Sequence, residues 1–223
     1  MSRQPTARRG RPRAFDRGTA LEAAMDVFWE RGYEGTRVSD LTKAMGLNAP
    51  SLYATFGSKE DLFREAVAHY NAPDRSPTTI ALQRPGPVRD AVEAMLRDNV
   101  REYADPDTPP GCLIVLAGIA YSAETEVLRD LLKSCRDEDR ARLLGRIQGG
   151  ITAGELPAGL DAQRLASFLM TVLHGLSIQA RDGASRADME AAVDMAMLAW
   201  DRTVDAAAGR ATSAGPAPSA PPA

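Results

Sequence analysis

The chain has 223 residues, 44% of them apolar, enough for one large domain or for a small one joined to a larger one. Its net charge of −3 hides an asymmetry, because residues 1–64 carry 11 basic and 8 acidic groups while residues 65–223 carry 16 and 22, so only the first part suits a polyanion. No apolar run approaches the ~18 residues of a membrane span, the basic start "MSRQPTARRGRPR" is followed by no apolar signal core, and Cys112 and Cys135 lack metal or disulfide spacing, which suits a reducing cytoplasm.

Residues 1–14 are rich in Arg, Pro and Gly and are expected to be disordered in isolation. Their arginines, Arg11 and Arg13 among them, either form a solvated tail or follow a DNA groove as basic arms do. From Asp16 the pattern turns helical: Leu21, Ala24, Met25 and Phe28 share one face, and Gly32 is a stop. Thr36 is placed to cap a second helix with Val38, Leu41 and Met45 inward, and Gly46 ends it in a left-handed cap. Asn48 caps a third helix, 49–56, with Pro50 in the first turn, where its missing N–H costs nothing. Ser58 and Asp61 open a fourth, running to about Tyr70, with a capping box.

Residues 71–86 read as loop. Helices are then expected at about 87–104, 112–121, 123–153, 161–182 and 185–206, followed by a disordered tail rich in Pro, Ala and Ser. The fold class is all-α with about nine helices, and no strand or repeat is expected. The organisation is a basic arm (1–14), a helix-turn-helix domain (15–70), a larger helical domain (71–207) and a tail (208–223).

The stretch "LNAPSLYATFGSKEDLF", residues 47–63, carries the chemistry. Two short helices separated only by Gly46, Leu47 and Asn48 form a helix-turn-helix. Leu52 and Phe56, one turn apart, lock the third helix onto the first two. Asn48, Ala49, Ser51, Tyr53 and Thr55 are left for a major groove. Ala49 can meet a thymine methyl, Asn48 and Ser51 can reach base edges, and Tyr53 can donate to a phosphate. Thr36 and Arg37 open the second helix, whose N–H groups and dipole favour a phosphate, and Lys59 stands at the start of the fourth. Two short helices could equally be mere packing; the arginine arm favours double-stranded DNA.

Residues 16–63 resemble the N-terminal domain of the TetR/AcrR family of bacterial transcriptional regulators. The resemblance lies in Gly32-Tyr33, Thr36, Val38, Asp40-Leu41, Gly46, Leu52-Tyr53, Phe56, Lys59-Glu60 and Leu62-Phe63, preceded by "RGRPRAFD". Thr42 and Thr55 depart from it, standing where Ala and an aromatic are usual. The resemblance implies a C-terminal ligand pocket, a dimer made by the last two helices, and repression of a palindromic operator relieved by a small molecule.

The resemblance places Leu169, Leu173, Leu176, Val193, Met197 and Trp200 in the dimer interface, an intrachain core being the alternative. Met95, Asn99, Tyr103, Cys112, Leu116, Ile119, Phe168, Thr171 and His174 are candidates to line a pocket for a small, mostly apolar effector. Cys112 could have a lowered pKa at a helix start, or be a small buried apolar residue. The alternative switch is a protein partner or modification of Cys112. Two scattered histidines, no metal spacing and no Gly-rich phosphate loop argue against an enzyme, a metal site or a cofactor.

Overall fold

The computed structural model describes residues 16–117 and 125–213, with side chains to residue 209. Among the described residues there are ten helices and no strand. Helix α1 (Arg17–Gly35) starts where Asp16 accepts the Thr19 N–H at 3.0 Å, and it buries Leu21, Ala24, Met25 and Phe28. Gly32 breaks it as the sequence predicts, at φ 67° and ψ 174°, leaving a non-helical joint before the final turn. Helices α2 (Val38–Met45), α3 (Ala49–Phe56) and α4 (Lys59–Tyr70) complete the first unit. Gly46 is left-handed at the turn between α2 and α3. At the start of α4, Ser58 Oγ accepts the Asp61 N–H at 3.0 Å and the Asp61 carboxylate accepts the Ser58 N–H at 2.9 Å, which is the expected capping box. Phe28 meets Phe63 edge-on at 5.0 Å, over fully buried Leu41, Leu52 and Leu62.

The expected loop at 71–86 contains a helix, α5 (Pro77–Gln83), which raises the total above the nine foreseen. Ser76 is its N-cap and Pro77 its first residue, so a Ser-Pro pair that reads as a turn starts a helix instead. Its Thr78, Thr79, Ala81 and Leu82 are buried, largely against α6 (Val88–Tyr103). Short α7 (Leu113–Leu116) and the long helices α8 (Glu126–Thr152), α9 (Ala162–Arg181) and α10 (Arg186–Ser213) follow. α10 runs past the expected end near Ala206, since three good helix formers, Ala206–208, continue it and the first proline comes only at 216.

Two apolar cores meet at Cys112, the residue before α7, which packs against both. Leu113 and Ile114 of α7 pack with the first unit's core and with Leu128 and Leu132 of α8. The second core lies among α5, α6, α8, α9 and α10, and Arg89–Asp201 and Arg97–Asp194 pairs tie α6 to α10 across its rim. Leu169, Leu173, Leu176, Val193, Met197 and Trp200, the residues expected to meet a second chain, are all within this core at 0–4% exposure. Their stripes face each other and α6 within one chain, so they are not available to a partner. The outward face of α9 and α10 carries other apolar side chains: Phe168 (40% exposed), Ile178 (41%), Met195 (65%) and Leu198 (54%).

Candidate nucleic-acid interface and inner cavity

Helix α3 is held by Leu52 and Phe56, both buried, and this fixes which side faces solvent. Asn48 is exposed and its Oδ1 accepts the Ser51 N–H at 2.9 Å, so its amide NH2 is the group left to reach outward. Tyr53 is 48% exposed, and Ala49, Ser51 and Thr55 are half-buried. The Thr55 hydroxyl donates back to the Ser51 carbonyl at 2.8 Å, leaving its oxygen as an acceptor only. Pro50 and Ala54 are also exposed on this surface, and the sequence reading did not include them.

Thr36, expected at the phosphate backbone, is instead 2% exposed, and its hydroxyl donates to the Gly32 carbonyl at 2.7 Å. It closes the joint at Gly32 and cannot reach DNA. Arg37 is the actual N-cap residue of α2; its N–H is accepted by Asp40 at 3.0 Å, and its side chain is exposed. That backbone bond, helped by Arg31 at 3.2 Å, holds the Asp40 carboxyl below the usual aspartate range. Lys59 places its ammonium 4.1 Å from the Tyr33 ring centre, and partial burial pulls its pKa below the usual lysine value. Arg11 and Arg13 lie outside the described residues.

A cavity of about 30 Å³ lies under this unit, with room for about two waters. Six helices and their flanking turns line it: Tyr70 from α4, Thr78 from α5, Asn99 and Tyr103 from α6, Cys112 and Ile114 at α7, Arg136 and Asp139 from α8, and Met170, Leu173 and His174 from α9. Four of the expected pocket residues therefore converge here: Asn99, Tyr103, Cys112 and His174. The others do not. Met95 is fully buried in the second core, one turn from Asn99. Leu116 is half-buried and lines a crevice beside the end of α1. Phe168 lies on the outer face of α9, in a groove shared with Ala199 and Thr203 of α10. Thr171 is exposed and bonds the Ser167 carbonyl at 2.8 Å. Ile119 is outside the described residues. Tyr70, Arg136 and Asp139 were not foreseen: Arg136 and Asp139 are one turn apart on α8, but no spacing along the chain joins them to Tyr70 or to the other lining residues.

The lining is more polar than the mostly apolar, Met-rich pocket expected. The Asn99 amide donates to Thr78 Oγ1 at 3.0 Å and to the Met95 carbonyl at 2.8 Å, which leaves its Oδ1 as an acceptor. Arg136 donates to the Ile114 carbonyl at 2.8 Å. Burial pushes the Asp139 carboxyl up to about 6, against the pull of Arg142. Burial and the Arg136 charge lower the His174 imidazole, so it is neutral at pH 7. Burial also pushes the Cys112 thiol up to about 11, which fits the buried apolar alternative and not the lowering a helix start can give. α7 has only four residues, too short a dipole to offset desolvation. The Tyr70 hydroxyl donates to Glu102 of α6 at 2.9 Å, and its ring meets Trp29 of α1 edge-on at 4.9 Å. Tyr70 is therefore in contact with the cavity, the second unit and the first unit at once.

Both units have counterparts among known proteins. A family model described as "Bacterial regulatory proteins, tetR family" matches residues 20–66, and one described as "Tetracyclin repressor-like, C-terminal domain" matches residues 92–196. The HTH-type transcriptional repressor ComR of Escherichia coli (strain K12) is 34% identical over 200 residues, which is 88% of this chain and 94% of that protein. The HTH-type transcriptional repressor BdcR of the same strain is 32% identical over 187 residues, 84% of this chain and 90% of that protein. Among solved structures, a cysteine mutant of the TetR family regulator CifR superposes with a TM-score of 0.81 and is 46% identical, over 85% of this chain and 100% of that one; that protein is complexed with 26 bp double-strand operator DNA.

Proposed function

This chain belongs to the TetR family of bacterial regulatory proteins, whose helix-turn-helix unit binds DNA, and we propose that it is a homodimeric repressor released from a palindromic operator by a small molecule. The observation that carries this reading is a short helix, α3, clamped by Leu52 and Phe56 and presenting Asn48, Ala49, Ser51 and Tyr53 outward. Asn48, Ala49 and Ser51 read base edges, while Tyr53, Arg37 and Lys59 meet phosphates and fix the register. The named relatives are repressors, and the CifR neighbour sits on operator DNA.

The dimer forms through the outer face of α9 and α10, where Phe168, Ile178, Met195 and Leu198 are exposed. It places two copies of α3 about one turn of DNA apart, roughly 34–36 Å. The effector enters the cavity beside Tyr70. Its lining favours a compact molecule with hydrogen-bonding groups over a purely apolar one, because unpaired donors and acceptors there would otherwise lose water without replacement. An effector that prefers the enlarged cavity displaces Tyr70, shifts α4 and moves α3 with it. A preference of about 1–3 kcal/mol changes operator affinity about 5–150-fold. The high Cys112 pKa argues against a switch that depends on a reactive thiolate.

The reading is tested by selecting duplexes from random-sequence DNA with the purified protein and weighing the free protein by light scattering. Two-fold symmetric sequences and a dimer are expected, with affinity falling by a log–log salt slope of about −0.9 per phosphate neutralised. Asymmetric sequences, or monomer at micromolar concentration, would reject it.

A further inference from the structure

Helix α9 ends on Arg181, whose side chain crosses to the other unit. Its guanidinium donates to the backbone carbonyl of Glu30 and lies 3.4 Å from that of Trp29. Both carbonyls belong to the last regular turn of α1, because the helix breaks at Gly32. The final carbonyls of a helix have no intrahelical donor and carry the negative end of its dipole. Arg181 supplies the missing donor from outside, with charge-assisted bonds. Leu116 and Ala117 at the end of α7 line the same crevice, so the contact sits where three helices meet.

The place of this contact in the chain gives it a function. Beyond Gly32 the backbone runs in a few residues to α2, and so to the helix-turn-helix. At its other end, the same α9 exposes Phe168 on the face assigned to the partner subunit. One rigid helix therefore touches both the second subunit and the root of the DNA-binding unit. Tyr70 also holds that root, through the Trp29 ring, but Tyr70 is in contact with the cavity as well. Of the two contacts, Arg181 is the one on the helix that the dimer fixes in place.

We infer that Arg181 is a positioning residue that sets the separation of the two recognition helices in the dimer. The inference rests on the reading of a dimer bound to a two-fold operator. Adding or removing one base pair between half-sites changes their separation by about 3.4 Å along the helix axis. A dimer with a stiff root rejects such sites, and one with a loose root accepts them. Arg181 is half-buried and outside both apolar cores, so its loss leaves each recognition helix folded.

The test uses the full-length protein and the duplex that the wild type selects from random-sequence DNA, remade with one base pair added or removed at its centre. Wild type should discriminate sharply between the spacings. Arg181→Ala should bind the selected duplex and random duplex nearly as before, but its discrimination between spacings should fall about tenfold. Arg181→Lys, which keeps a charged donor, should restore most of it, whereas a contact that only stabilised the fold would change the melting temperature and leave discrimination alone. Unchanged discrimination in Arg181→Ala overturns the inference. If Arg181→Ala does not fold, Arg181→Met, which keeps an apolar stem and removes the donors, replaces it under the same criterion. A wild type that selects no two-half-site sequence defeats the dimeric-operator reading itself, and this inference falls with it.

Discussion

Tyr70 and Glu102 are joined by a hydrogen bond of 2.9 Å between the last residue of α4 and the last turn of α6, in a place where burial raises the pKa of both groups. The first unit therefore hangs from the second by a polar contact in a poorly solvated boundary, one whose strength depends on its geometry.

Tyr70→Phe removes the donor and leaves the Glu102 carboxyl buried without it. A stability loss of about 1–3 kcal/mol is expected, measurable by urea denaturation. Operator affinity of the folded fraction should change little, while its response to any effector should shrink. A variant with full stability and full response would show that the contact plays neither part.

On α3, Tyr53→Phe should weaken binding to all duplexes by a similar factor, since the hydroxyl is assigned to a phosphate. Substitutions at Asn48, Ala49 or Ser51 should instead alter the preferred sequence, by about 1–3 kcal/mol for each base edge no longer read. Repeating the duplex selection with each variant separates the two classes. Thr36→Val should lower stability, since its hydroxyl bond is internal, without a matching change in sequence preference.

Met195→Glu or Leu198→Glu on the outer face of α10 should yield a folded monomer, seen as halved mass in light scattering and an unchanged far-ultraviolet dichroism spectrum. Trp200→Ala, two residues beyond Leu198, should act in the opposite way. Trp200 is 1% exposed in the second core, and the cavity should cost about 3–5 kcal/mol of folding free energy.

Asp139 gives the pH dependence a definite sign. Its folded-state pKa of about 6 lies above the aspartate value of the unfolded chain, so the native state binds the proton more tightly. Its contribution to stability is fully present below about pH 4 and is lost as pH rises to about 6, then stays flat. Asp139→Asn should therefore be more stable than wild type at pH 7, by up to about 2–3 kcal/mol, with the advantage gone near pH 4. Melting temperatures across that range would decide it, and an advantage that grows toward acid would refute the assignment.

The first unit was legible because its signals are local. Leu52 and Phe56 lie one turn apart, Gly46 needs a left-handed backbone, and Ser58 with Asp61 forms a cap within four residues. The second unit was legible only as helices. α9 carries apolar residues on two sides, so Leu165 and Leu169 turn inward while Phe168, beside them in the sequence, turns outward. Periodicity says that a face is apolar and not what it will meet. The cavity was the least legible part, because Tyr70, Asn99, Asp139 and His174 come from four separate helices. Cys112 was left between two readings for a related reason: a helix start is visible in sequence, but the desolvation that outweighs it depends on neighbours such as Tyr70 and Tyr103, which are brought in only by the fold.

A cavity of about 30 Å³ also constrains the timing of any response. An effector that needs more room than this is expected to be seated fully only when the walls part. Its observed association rate should level off as its concentration rises, at the frequency of that opening, where simple collision would keep rising. Apparent affinity is reduced by the fraction of time the walls stand apart. A side-chain trim that enlarges the cavity, such as Leu173→Ala, should therefore speed capture and tighten binding of an unchanged molecule, and make a bacterium carrying it respond at lower doses.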